Sequence, residues 1–265
     1  MGASQQILSS VSGSAPKQAL FTSVDGLEVS WVVPVGVTTI CAVAIGAGEG
    51  SPSSSSGGSG GSGADLVYSN NIPVTAGETL TIRAAIGISG AGTTQSSYIK
   101  RSTTILLCAK GGDASDNTSQ INAGTGAIGV GGLKSAGGSA AEEGGGGGGA
   151  GGYGGDGGSG GTGPTAGNLG GGGGGLRATV MGSRGGDGGG TCPHGEGGSG
   201  SPGYDVDEST WHGGTGSPRD GSPICGWGAG GAASGAYGAG TGGQGCVRII
   251  WGSGRSFPST RTLDE

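Results

Sequence analysis

The tract from Gly144 to Gly175 constrains this chain more than any other stretch. Gly144 and Gly149 bound one unbroken run of glycine, and Gly170 and Gly175 bound another. Between the runs, Gly-Gly-X triplets set Ala150, Tyr153, Asp156, Ser159 and Thr162 three residues apart. That spacing fits neither helix nor strand, whose side chains repeat every 3.6 and 2 residues. It fits an extended left-handed helix of the polyproline II type, with three residues per turn and a rise of about 3.1 Å. The five X residues then share one edge and leave two bare faces for close neighbours. A six-glycine run is bare on all faces and makes a rod of roughly 19 Å. The tract therefore predicts a bundle of polyglycine II helices.

Two other glycine-rich structures compete with this one. Collagen needs glycine at every third position with abundant proline, whereas here the glycines are contiguous and there are only 10 prolines. A flexible Gly/Ser linker is the stronger rival. Conventional packing is excluded, because 31% hydrophobic and 4% aromatic residues cannot fill a core for 265 residues. Charge-driven disorder is disfavoured too, since only 11% of the residues are charged. Energetics decide what an ordered tract must look like. Fixing a backbone costs about 1–2 kcal/mol per residue, and glycine loses the most freedom. The main return is roughly 0.5–1.5 kcal/mol per hydrogen bond. Polyproline II has no internal hydrogen bonds, so every amide must pair sideways. Only a many-membered lattice offers each of them a partner.

Flanking the tract are stretches that read as β-strands. Residues 27–33, 37–45, 64–69, 79–86, 97–100, 105–110 and 246–251 are rich in β-formers, and turns such as Pro34-Val35-Gly36 and Thr75-Ala76-Gly77-Glu78 separate some of them. The expected fold is mostly β with almost no α-helix: a small β-sandwich base carrying an inserted bundle of polyglycine II helices. Residues 1–19 read as a polar docking arm, 20–110 plus 246–252 as the sandwich, 111–245 as the glycine-rich bundle and 253–265 as a tail. The last strand must return to the sandwich because its apolar residues have no other core to join. Both ends of the bundle are thereby pinned.

Several functions have no support in the residues. The net charge is −6 and no basic patch interleaved with aromatics occurs, so no nucleic acid is expected as a partner. No apolar run reaches the eighteen or so residues of a membrane span. The first residues, MGASQQILSSVSGSAPKQ, match neither a secretory signal nor a myristoylation pattern. Synthesis and assembly without export are expected. Cys41, Cys108 and Cys246 fall in strand-like runs and read as small buried hydrophobes.

The segment SWVVPVGVTTICAVAIGAGEG resembles the start of the glycine-rich domain of tail-fibre and adhesin proteins of tailed bacteriophages. Its Trp, its V-P-x-G-V turn, the alternating strand and the following glycines carry the likeness. LVYSNNIPVTAGETLTI continues it, and GCVRIIWGSGRSFPST is similar to the close of virion structural proteins of cyanobacterial phages. About the first hundred and the last twenty residues are covered. The middle resembles, by architecture, the polyglycine tip adhesins of long tail fibres, in which glycine motifs alternate with loops that touch the host. This chain departs from them by carrying its own β-module. The resemblance implies a virion protein of the tail or fibre, made in the host cytoplasm. Its implied partners are other virion proteins (tail, baseplate or fibre shaft) and a host cell-surface glycan or envelope protein, and a homotrimer is among the assemblies such fibres form. A capsid decoration, collar or head-fibre protein with no receptor role is the alternative.

Interruptions of the glycine pattern are where recognition would reside. The richest is 201–225, with Tyr204, Asp205, Asp207, Glu208, Trp211, His212 and Arg219 as candidate receptor contacts. Aromatic and Arg side chains are favoured anchors. For Trp211 and Trp227 a second reading stands equally: they cap the apolar ends of rods. Residues 58–63 match G-x-G-x-x-G, but a strand follows instead of the helix that dinucleotide binding requires. Cys192, His194, His212 and Cys225 fit no common zinc spacing, and the acidic cluster at 205–208 lacks a calcium-loop pattern. No metal or cofactor is expected. With two histidines and no nucleophile arrangement, the chain does not read as an enzyme.

Overall fold

The computed structural model describes residues 17–22, 25–50, 60–87, 96–112, 147–153, 157, 189–194, 227–228, 230–231 and 241–257. The described residues form strands and connecting segments with no helix, in two antiparallel four-stranded sheets. One sheet runs β1 (Gln18–Thr22), β8 (Cys246–Ile250), β3 (Thr39–Ile45), β4 (Leu66–Pro73). The other runs β2 (Glu28–Val32), β5 (Thr79–Arg83), β6 (Ser97–Arg101), β7 (Thr104–Ala109). The mostly-β expectation holds, and β8 does return to the base, pairing with both β1 and β3.

Alternation explains the stacking. Ile40, Ala42 and Ala44 of β3, Val247 and Ile249 of β8, and Val67 of β4 face Trp31, Leu80, Ile82, Ile99 and Leu107 of the opposite sheet. Trp31 meets Phe21 edge-on at 6.5 Å and Trp251 at 5.8 Å between ring centroids. The other face of β3 is buried as well, so Cys41, Val43 and Ile45 belong to a second apolar cluster. The uninterrupted apolar run of β3 reflects this burial on both sides. An extra residue in β4 shifts its register between Ile40 and Ala42. Asn71 sits in this bulge at φ 57°, and the shift keeps Ile72 facing the core.

Strand β1 departs from the expected polar arm at 1–19. Its Gln-Ala-Leu-Phe-Thr has too few apolar residues to announce a strand by pattern, and it forms because β8 offers a free edge, pairing from Gln18↔Ile250 to Thr22↔Cys246.

Partly exposed ion pairs tie strands and turns of the second sheet. Arg101 grips Glu78 through two nitrogens at 2.9 and 3.0 Å and donates to the Pro73 carbonyl at 2.7 Å. Glu28 accepts from Lys100 and from the Tyr98 hydroxyl. The Arg101 hydrogen bonds hold the Glu78 carboxyl below its ordinary value, and Lys100, then Tyr98, do the same for Glu28. A lowered carboxylate stabilises the fold above the unfolded value of 4.5 and loses that contribution as pH falls through its folded value. Replacing Glu78 by Gln should therefore make the acid limb of a stability–pH curve shallower. Because the pair is only partly buried and screened by nearby solvent, the change should stay at about 1 kcal/mol or less, read by urea unfolding at pH 6 and pH 3.

Candidate functional site at the glycine-bonded pole

Strands β3, β5 and β7 leave the sandwich at one end, and β4, β6 and β8 re-enter there, as the registers Ile45↔Leu66, Ile45↔Cys246, Arg83↔Tyr98 and Ser97↔Ala109 require. The segments beyond these strand ends are 46–50, 60–65, 84–87, 110–112 and 241–245. Described pieces of the long glycine tract, 147–153, 189–191, 227–228 and 230–231, join them. Their amides pair sideways with one another. Gly61 N–H donates to Gly231 O, Gly148 N–H to Gly61 O, Gly230 N–H to Gly148 O and Gly231 N–H to Glu49 O, all at 2.8–2.9 Å. Gly48 N–H reaches Gly243 O at 2.8 Å, and Gly228 N–H reaches Gln244 O at 2.8 Å. Bonds also cross between the sheets, from Asp65 N–H to Lys110 O and from Gly245 N–H to Ala85 O.

Glycine is required here by distance. A Cβ built on Gly61 would lie 2.0 Å from Glu49 O, one on Gly63 2.0 Å from Gly149 O, one on Gly230 2.1 Å from Gly61 O and one on Gly242 2.0 Å from Gly48 O. The Cα of one segment thus points at the carbonyl of the next, the arrangement of a Cα–H···O contact. Gly61 and Gly63, in the G-x-G-x-x-G match, serve this close approach between backbones.

The first sheet's outer face anchors the tract. Tyr153 is stacked on Phe257 at 6.2 Å and 8°, lies 5.8 Å from Tyr68 and donates its hydroxyl to Pro193 O at 3.0 Å. Arg248, fully buried on β8, donates to the same Pro193 carbonyl at 3.2 Å and to Gln18 Oε1 at 2.6 Å, with its guanidinium 5.7 Å from the Phe257 ring. Trp227 packs on the same cluster and exchanges both main-chain hydrogen bonds with Thr191.

Residues 253–257, the described part of the expected tail at 253–265, close over the first sheet. Asn70 imitates a strand partner, donating Nδ2 to Phe257 O at 2.8 Å and accepting Phe257 N–H on Oδ1 at 2.9 Å. Asn70→Ala should cost about 2 kcal/mol, two net hydrogen bonds, in urea unfolding. Asn70→Asp should restore little, because a carboxylate cannot donate to Phe257 O.

Of the residues singled out in the sequence, Gly149 is described: it is buried, and its carbonyl lies against Gly63 and Gly157. Gly144, Gly170 and Gly175 lie outside the described residues. So do Tyr204, Asp205, Asp207, Glu208, Trp211, His212 and Arg219, together with Cys225 of the zinc candidate. Cys192 is buried beside Pro193. Among the described residues, no three His, Cys, Asp or Glu side chains converge. Pattern reading missed the anchors Arg248, Phe257 and Asn70. The available signal was an arginine in an otherwise apolar strand, Cys-Val-Arg-Ile-Ile. No family model matches this sequence, and no curated protein matches it either.

Proposed function

We propose that this chain is a virion structural protein of a tailed bacteriophage, mounted at a fibre or tail extremity, with the loops of its glycine tract turned toward a host surface. The observation carrying this reading is the bonded pole. Described glycines of 46–50, 60–65, 147–151, 189, 228, 230–231 and 241–245 share lateral main-chain bonds at one end of the sandwich, so excursions beyond that end start from a stiff base. Stiffness matters for adhesion because ordered loops avoid the entropy of ordering on contact. The sequence likeness to phage fibre proteins supports the same reading. In it, the partners are neighbouring virion proteins and a host glycan or envelope protein, and the chemistry is binding without catalysis.

Deleting residues 202–211 from the phage-encoded protein should leave particle yield unchanged and abolish adsorption to host cells. Normal adsorption would remove that loop as the contact. Copy number per particle separates the alternative, since hundreds of copies would mark a decoration or collar protein and a few trimers a fibre.

A further inference from the structure

The end of the sandwich opposite the bonded pole holds an open groove of about 720 Å³, within the roughly 300–1,000 Å³ span of ligand sites. It lies where β8 ends, where β3 begins and beside the β4 bulge. We propose that this groove takes an extended acidic segment of a partner protein.

Charge is the first support. Among the described residues, Lys17 and Arg255 line the groove and no Asp or Glu does, in a chain whose net charge is −6. The local sign is thus opposite to that of the molecule, and it selects carboxylates. Backbone shape is the second. Asn71 at φ 57°, Gly252 at φ 111° and Gly254 at φ 77° all line it. Left-handed residues gather at ligand clamps, and such turns direct successive N–H groups into anion-binding concavities. The third support is prior order. Lys17 O accepts from Trp251 N–H at 2.9 Å and from Arg255 Nη1 at 2.7 Å, while Asn70 fixes the far end of the same segment at Phe257. The walls therefore exist before any ligand arrives.

A peptide fits this lining better than a saccharide. Trp251 is the single aromatic among the described lining residues and is partly buried against Trp31, so a stacked sugar would have at most one ring to rest on. The hydroxyls of Thr38 and Thr39 face a peptide main chain equally well, and Val35, 96% exposed, provides an apolar rim for its side chains. This assignment is independent of the presenting role proposed for the glycine tract.

The test uses the full chain and a fluorescein-labelled, end-blocked peptide Gly-Asp-Glu-Asp-Glu-Gly, followed by anisotropy. Saturable binding is expected, weakening at least about tenfold when salt rises from tens to hundreds of millimolar. Lys17→Glu should weaken it at least about tenfold. Lys17 is exposed, its hydrogen bonds run through its main-chain oxygen and its side chain lies over Gly252 without an ion pair among the described residues, so the variant should keep close to the wild-type unfolding curve. Arg255→Gln serves as a second variant, expected to act in the same direction. The proposal is overturned by absent saturation, by equal binding of the amide analogue Gly-Asn-Gln-Asn-Gln-Gly or by unchanged affinity in Lys17→Glu. Displacement of the peptide by a hexuronate oligosaccharide at lower concentration would overturn it in favour of a glycan site.

Discussion

Gly61→Ala is expected to destabilise the protein by about 3 kcal/mol or more, the upper end of what overpacking a filled interior costs. A methyl at this position would lie 2.0 Å from Glu49 O, and Gly61 itself bonds Gly231 through its N–H and Gly148 through its carbonyl. No flexible side chain can yield, because each neighbour is backbone held by its own lateral hydrogen bonds. At about 2–4 °C per kcal/mol for a chain near this size, the melting temperature should fall by roughly 6–12 °C. Gly254→Ala is the comparison: φ is 77° and nothing lies within 4 Å of the added carbon. Its cost should be confined to about 1–2 kcal/mol of left-handed backbone. Equal melting temperatures for the two variants would show that lateral packing at Gly61 contributes nothing.

Tyr153→Ala should cost about 3–5 kcal/mol, the range for deleting a buried aromatic. The ring fills the space between Tyr68, Phe257 and the outer face of the first sheet, and it is among the few large side chains the glycine tract contributes there. Tyr153→Phe keeps the stack and loses only the hydrogen bond to Pro193 O, so about 1 kcal/mol is expected. Urea unfolding followed by near-ultraviolet circular dichroism reads both. If the alanine variant unfolds at the same urea concentration as the phenylalanine variant, the aromatic stack does not hold the tract to the sheet.

Most of the sandwich was legible because its strands carry their own pattern. Val29 and Trp31 of β2 alternate with outward residues, Leu80 and Ile82 of β5 do the same, and the expected turns at Gly36 and Gly77 are present, both glycines having positive φ. Hydrogen-bond accounting leads to the expectation of a polyglycine II bundle, most of whose glycine runs lie outside the described residues; among the described residues, glycines such as Gly48 and Gly243 bond one another through the main chain. The second core was not legible. It brings together Tyr153, Trp227 and the C-terminal pair Arg248 and Phe257 from three distant parts of the chain, and of these only Arg248, in an otherwise apolar strand, carried a local signal. Strand β1 and the closing segment 253–257 escaped for a related reason, since partners remote in sequence determine both. The candidate receptor contacts at 204–219 were read from side-chain chemistry, and they lie outside the described residues.

The position of β8 has a consequence for how the molecule is made. This strand is inserted between β1 and β3, yet it begins at Cys246, after the entire glycine tract has been translated. On the ribosome β1 has no neighbour, and β3 has only β4, until the last strand emerges. The second sheet, whose strands all precede residue 110, can pair early. The first must wait, with the apolar surfaces of β3 uncovered for the time needed to synthesise about 135 residues at 5–20 per second, roughly 7–27 s. Long-range closure of this kind is slow.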